Sequence, residues 1–489
     1  MSVMPPTVVY EDSPPADIAL ADRVEADRST RGPVLLFYSS AVIWLLVGSI
    51  FGLIAALKFQ MPDWLTSQAA LTFGRVRTVH LNAVTYGWTS MGLIGTAVWM
   101  IPRLVRAPLY APKLATVAAW GWNLFMILGL SALLMGYSDG LEWLEIPLPI
   151  DAIVALSGGL MAVSVLITVA RRRTQHFYVS VWYILAAMVW FPIIFVTASL
   201  PIFTGVNQAA VNWWYGHNAL GLWITPMALA LAYYFIPKIL GHPIYSYNLS
   251  LVGFWSLAFF YSLNGHHHLI GAPMPQWVTT TSITASVMMV IPVAATAVNF
   301  HYTMIGRFDA LKHSPTLRFV VAGSMIYTLV SLQGSIEALR TVNRVVHFTQ
   351  YTVGHAHLGA YGFAAMILFG AYYFIMPRVM NREWPSGRLI KWHFWLALLG
   401  VLIYFGSLSI GGVLQGLAML DSSRPFMDSV NLTKPYLLGR TIGGSMMVVS
   451  HFVFAWHYWL MVSGRGKERS GPAWSDRRSY HIMPGKDAA

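Results

Sequence analysis

The chain has 489 residues, of which 56% are hydrophobic and only 10% charged, against roughly 25% charged residues in soluble proteins. With a mean hydropathy of +0.57, that balance excludes a soluble globular enzyme and requires a polytopic membrane protein. The net charge of +12 suits a polyanionic partner such as nucleic acid only if it is clustered, and it is not.

Residues 1–33 are polar, with Pro5, Pro6, Pro14, Pro15 and many acids. They lack the basic start and short apolar core of a cleaved signal peptide. A partly disordered cytoplasmic tail is expected here. Apolar runs of the length that crosses a bilayer then follow at 34–59, 74–101, 115–137, 149–171, 179–200, 211–236, 248–270, 279–304, 318–339, 351–377, 391–415 and 440–462. The expected fold is all-α, with about twelve transmembrane helices in one domain over 34–462 and a basic cytoplasmic tail over 463–489.

With both termini cytoplasmic, 23 of the 31 Lys and Arg residues fall on the cytoplasmic side and 8 on the other. Examples are Arg103, Arg106 and Lys113, then Arg171, Arg172 and Arg173. This is the positive-inside pattern, and it sets the orientation. A basic face beside anionic lipid accounts for the charge without nucleic acid. There is no cysteine, so disulfides, thiolate metal sites and covalent c-type haem are excluded.

Ionisable groups inside a bilayer are costly, and each is a functional hypothesis by default. The orientation puts His80, His217, Tyr261, His267, His268, His355 and His357 near one depth, in the outer part of four different spans. On a helix, residues two apart differ by about 200°, so His355 and His357 point to nearly opposite faces. One helix could then ligate two haems, since imidazole is a normal axial ligand, with His80 as the second ligand to one of them. His217, His267 and His268 could make a three-imidazole site with an open position for copper, zinc or iron. Tyr261 and His268 are seven apart, two helical turns, so they share one face and a phenol could stand beside that metal.

A lone intramembrane histidine is often a helix–helix hydrogen-bond partner. A His-x-His, a His-His and further single histidines together are poorly explained that way. His266 is expected to point away from the metal. His242, His301, His313 and His393 are read as interfacial, at cytoplasmic span ends or in loops. His347, His451 and His457 are left open, and His347 could reach a haem propionate.

The segments FGRVRTVH, WWYGHNALG, SYNLSLVGFW through HHHLIGAPMPQW, and TVNRVVHFTQYTVGHAHLGAYG resemble the catalytic subunit of cbb3-type cytochrome c oxidases, the C-family of haem–copper oxygen reductases. The resemblance covers residues 34 to 462. It implies that His80 and His357 hold a low-spin haem b, that His355 is the proximal ligand of a high-spin haem b3, and that His217, His267 and His268 bind one copper ion. It implies Tyr261 as the active-site tyrosine, cross-linked to His217. Arg77 would partner a haem propionate, Tyr327 and Ser331 would lie on a proton path from the cytoplasm, and Glu142 or Glu145 would ligate a structural calcium. Membrane-anchored mono-haem and di-haem cytochrome c subunits would deliver electrons, because a cysteine-free chain has no thiolate dinuclear copper entry site.

Two departures mark a divergent member. The family glutamate that hydrogen-bonds the proximal histidine falls at Gln333, with Glu337 one turn later. Either Glu337 takes over that role or the proximal imidazole has no anionic partner. His266 also stands where a proline is expected. The expected activity is reduction of O2 to water in the bacterial cytoplasmic membrane, coupled to proton uptake. The nearest rival is nitric oxide reductase, whose mark is a glutamate four residues after the first metal histidine; here that residue is Gly221. A haem-binding transporter or sensor would explain the haem ligands but not the three-imidazole group beside Tyr261.

Overall fold

The computed structural model describes residues 16–470 together with Ala473 and Ser475. Among them only isolated bridges interrupt an all-helical chain. In order the helices are α1 (Ala16–Lys58), α2 (Phe73–Asn82), α3 (Met91–Val105), α4 (Pro112–Met135), α5 (Leu148–Ala170), α6 (Val179–Ser199), α7 (Gly205–Asn218), α8 (Thr225–Leu240) and α9 (Tyr247–Ser262). Then come α10 (Gln276–Met288), α11 (Val290–Met304), α12 (Ala310–His313), α13 (Pro315–Glu337), α14 (Arg340–Val346), α15 (Gln350–His357), α16 (Met366–Met380), α17 (Gly387–Leu420) and α18 (Phe426–Val462). Wider π-helical stretches at Ala83–Ser90, Ala219–Ile224 and Leu358–Ala365 join α2 to α3, α7 to α8 and α15 to α16.

Ten helical segments among the described residues are long and apolar enough to cross a membrane. The two remaining expected spans take a different form. Phe73–Val105 is continuous helix whose polar start carries Arg75 and Arg77. The seventh span is the 16-residue α9, which stops at Ser262, short of the expected end at 270.

The first helix starts at Ala16, well before the expected span. Its polar turns are held by cations at the ends of other helices. Asp27 accepts two hydrogen bonds from Arg103, and Asp22 accepts from both Arg106 and Arg173. The four prolines of the expected tail, and the chain beyond Ser475, lie outside the described residues.

Serine caps start three helices. Ser246, Ser314 and Ser386 accept the backbone N–H of Leu249, Leu317 and Leu389 at the heads of α9, α13 and α17, satisfying a donor that a helix N-terminus leaves open. Close packing then fixes the short α15. A Cβ at Gly412 would sit 2.2 Å from the Tyr351 nitrogen, and one at Gly416 would sit 1.7 Å from the Val345 carbonyl oxygen. Small residues four apart let helix backbones approach closely in a membrane, and this pair seats α17 against α14 and against α15, the helix that carries His355 and His357.

Candidate haem and metal centre

His80, at the end of α2, and His357, at the end of α15, face one another. Their ring centres are 6.2 Å apart and their planes within 10° of parallel. Two imidazoles sharing one metal at nitrogen–metal bonds of about 2 Å would have ring centres roughly 6 Å apart. Each ring is oriented by a backbone carbonyl: His80 Nδ1 donates to Gly48 O at 2.7 Å, and His357 Nδ1 donates to Val353 O at 2.9 Å. A carbonyl only accepts, so both Nδ1 atoms carry the proton and both Nε2 atoms are left as acceptors, that of His357 for the Tyr404 hydroxyl. This is the usual arrangement behind a metal-binding histidine. Gly52 makes room for His80, since a Cβ there would be 2.6 Å from its Nδ1. Tyr404, bonded by Arg440 at 3.0 Å, lies 3.3 Å from His357 Nε2.

His355, two residues before His357, turns to α13 instead. Its Nδ1 donates to Gln333 Oε1 at 3.1 Å. Glu337 Oε2 is 3.6 Å away, beyond hydrogen-bond reach, and its Oε1 takes the Thr352 hydroxyl at 3.0 Å. Of the two expected alternatives, the geometry favours a neutral amide as the partner of His355. Gly334 lies against the other side of the ring, where a Cβ would be 3.0 Å from Cε1.

His217, His267 and His268 offer ligand atoms that all lie within 4.8 Å of one another, in the one such group found among the described residues. His217 Nδ1 is buried without a protein partner. His267 Nδ1 meets the Ser286 hydroxyl at 2.9 Å; that hydroxyl can donate onward to Asn264 Oδ1 at 2.9 Å. His268 stacks on Trp213 with centroids 4.5 Å apart. These side chains, like His80, His357 and Tyr261, lie deep in the bundle yet are not closed off by protein.

The helical-face argument for Tyr261 and His268 is corrected by the structure. His266–Leu269 form a short 3-10 turn after the break at Leu263–Gly265. Gly265 has φ +118°, and a Cβ on it would lie 2.6 Å from the Trp213 carbonyl oxygen. The break lets the His turn press against α7. Tyr261 nevertheless stands 5.4 Å, centroid to centroid, from His217. Its ring fills the place beside Gly221, where a Cβ would sit 2.3 Å from the Tyr261 Cδ1 and Cε1. A glutamate at 221 and a tyrosine at 261 therefore compete for one space. His266 stays outside the metal group.

The remaining expected residues scatter around this core. Arg77 is paired with Glu142 at 2.6 Å. Glu145 is 5% exposed, accepts from Asn82 Nδ2 at 3.0 Å, and leaves its Oε1 unpartnered. Burial pushes its carboxyl up to about 7. His347 stacks on Phe348. Tyr327 is buried, and its hydroxyl approaches Thr296 and Ser331 without a well-formed hydrogen bond to either. His393, expected at an interface, has 0% exposure, because α17 begins at Gly387 and its second turn already lies inside the bundle.

Sequence reasoning also missed the π-helical stretches. One follows each of His80, His217 and His357 within three residues. Such widened turns are common at functional sites. The only sequence signal is the Gly- and aromatic-rich run after each histidine, as in HLGAYGF.

Two outcomes follow from this geometry. Gly221→Ala should displace the Tyr261 ring and lower turnover at least tenfold with haem absorbance retained; unchanged turnover would show that the ring tolerates the methyl. Glu145 is protonated in the folded protein up to about pH 7 but ionises near 4.5 when unfolded. The unfolded chain thus releases the proton first, and stability should fall between those two values by about 3 kcal/mol. Glu145→Gln should flatten that loss in a thermal melt, and an unchanged slope would assign the loss to other groups.

Residues 32–446 match the family described as cytochrome c and quinol oxidase polypeptide I. The chain is 34% identical to the cbb3-type cytochrome c oxidase subunit CcoN1 of Stutzerimonas stutzeri, over 87% of this chain and 94% of that one. It is 31% identical to cytochrome c oxidase subunit 1 of Rhodobacter capsulatus, over 88% and 85%. A nitric oxide reductase chain of Stutzerimonas stutzeri is more distant, at 27% over 79% of this chain and 86% of that one. In structure the chain matches a haem–copper terminal oxidase solved as a dimer, with a TM-score of 0.70 over 95% of this chain and 88% of the other at 15% identity, which speaks to the fold. The protein is a multi-pass membrane oxidoreductase of the haem–copper oxidase subunit I family, similar to the cbb3-type enzymes.

Proposed function

We propose that the chain is the catalytic subunit of a cbb3-type terminal oxidase, reducing O2 to water with electrons from cytochrome c. It would lie in a bacterial cytoplasmic membrane with both termini cytoplasmic and the domain boundaries read from the sequence. The observation that carries this reading is the group His217, His267 and His268 with the Tyr261 ring in the space that Gly221 leaves beside it. When bound, a low-spin haem b, a high-spin haem b3 and one copper ion would supply electron relay and oxygen reduction. His80 and His357 would hold the first, His355 the second, and the three-imidazole group the copper.

The protein's part is placement and proton supply. Backbone carbonyls fix the His80 and His357 rings by their Nδ1 atoms, leaving both Nε2 atoms as acceptors. The Ser286 hydroxyl does the same for His267. Tyr261 holds a phenolic proton beside the metal ligands, with His217 as its cross-link partner. Tyr327 and Ser331 would bring protons inward from the cytoplasmic side. The apolar bundle keeps bulk water out, so charge changes inside it are strongly felt. Glu142 or Glu145 would ligate a structural calcium. Electrons would arrive through membrane-anchored mono-haem and di-haem cytochrome c subunits.

The complex should consume O2 faster than nitric oxide from a reduced cytochrome donor, in a cyanide-sensitive way. Tyr261→Phe should abolish O2 consumption while both haem absorbances persist. Nitric oxide as the faster substrate would overturn the reading. A neutral Gln333 makes the His355 imidazole a weaker donor than a carboxylate partner would. Gln333→Glu should therefore lower the midpoint potential of the high-spin haem, and an unchanged potential would reject a role for Gln333 in setting it.

A further inference from the structure

Three fully or nearly buried histidines play no part in the centre described above. His393 on α17 and His457 on α18 have 0% exposure, and His451 on α18 has 6%. His451, Phe454 and His457 recur three apart, so they share one face of α18. Phe452, Trp456 and Trp459 are exposed on the rest of that helix. The inner face packs on α16 and α17, with Phe454 4.9 Å from the His393 ring and Phe369 4.4 Å from it.

Their hydrogen bonds give a direction. At the cytoplasmic end, the Ser386 N–H donates to His457 Nε2 at 3.1 Å. The proton of neutral His457 is therefore on Nδ1, which is buried without a partner. His393 Nδ1 meets the Tyr373 hydroxyl at 2.8 Å, and its Nε2 is likewise buried and unpartnered. Deeper in, the Ser49 hydroxyl donates to Leu45 O, so its oxygen accepts from His451 Nδ1 at 2.7 Å. His451 Nε2 then takes the Tyr361 hydroxyl at 3.0 Å. Ser49 is joined through one peptide to Gly48, whose carbonyl holds His80.

A packing role explains one bond per ring but not two buried, unsatisfied nitrogens. Buried polar groups are ordinarily paired, and unpaired ones are where an ordered water would sit. A metal is not indicated, because the only ligand cluster among the described residues is His217, His267 and His268. The titratable groups facing the three rings are Tyr361 from the 358–365 stretch, Tyr373 from α16 and His80 from α2; no charged side chain among the described residues reaches them.

We propose that His457, His393 and His451, with intervening water, form a second proton-conducting line from the cytoplasmic ends of α17 and α18 to Ser49 beside the low-spin haem site, separate from Tyr327. The line rests on the haem assignment proposed above. Each neutral imidazole can accept a proton on its bare nitrogen and release the one on the other; the ring's charge is unchanged but its tautomer is exchanged, so each ring must turn back before the next proton, and His457 must first release the Ser386 N–H. An electron placed between His80 and His357 in a low-dielectric bundle favours a proton at His451.

The test uses the purified complex in oriented vesicles with the oxygen site blocked by cyanide. A pulse of reductant loads the low-spin haem while a pH dye reports the cytoplasmic side. The wild type should take up protons with the electron. His393→Gln keeps a hydrogen-bonding side chain that cannot relay, and should slow uptake at least tenfold with the low-spin haem spectrum unchanged, whereas Tyr327→Phe should leave it intact. Wild-type uptake rates in both His393→Gln and His457→Gln would overturn the line. If His393→Gln does not assemble, the wild-type low-spin haem potential decides: a fall of about 59 mV for each tenfold drop in proton activity supports the line, and a flat response overturns it. A wild-type complex lacking a low-spin haem spectrum would instead contradict the haem assignment.

Discussion

The structure depends on holding neutral imidazoles in an apolar bundle with one nitrogen committed and the other free. A bilayer offers no bulk water to a stray N–H, so a ring N–H inside it needs a protein acceptor or an enclosed water. His80, His357, His355 and His267 each give Nδ1 to a fixed oxygen: two backbone carbonyls, an amide and a serine hydroxyl. That commitment fixes both the tautomer and the direction of the remaining lone pair. Haem and copper binding then become consequences of where the backbone puts those oxygens.

Glycine and widened helix turns supply the room. Gly52, Gly334 and Gly221 each border a ring of the centre so closely that a Cβ would intrude on it. At Gly221 this exclusion carries chemical meaning, because the space is filled by a phenol and so is closed to a carboxylate side chain. On the proposed function, the identity of one glycine thereby bears on whether the site suits oxygen or nitric oxide. The Gly265 turn does the complementary job by bending the chain so that His267 and His268 come against α7.

Much of this is readable from sequence, for a physical reason. Ionisable residues inside apolar runs stand out, so His80, His217, His267, His268, His355 and His357 are conspicuous, and the Lys and Arg distribution leads to the expectation of a common depth. What is not readable depends on tertiary packing. The end of α9 at Ser262 depends on a backbone-to-backbone approach at Gly265 that no periodicity reports. The early start of α1 depends on Asp22 and Asp27 meeting arginines far along the chain. Sequence misplaces His393 at an interface because an apolar window locates a span only to within a turn, and by the second turn of α17 the ring is already buried against the Tyr373 hydroxyl. The choice between Gln333 and Glu337 is left open by register alone and turns on a difference of half an ångström.

The most direct test of the account is metal analysis of the purified complex beside its His267→Ala variant. The account predicts one copper for every two b-type haems in the wild type, and loss of copper with both haems retained in the variant. Non-haem iron in place of copper, or copper that persists without His267, would contradict it.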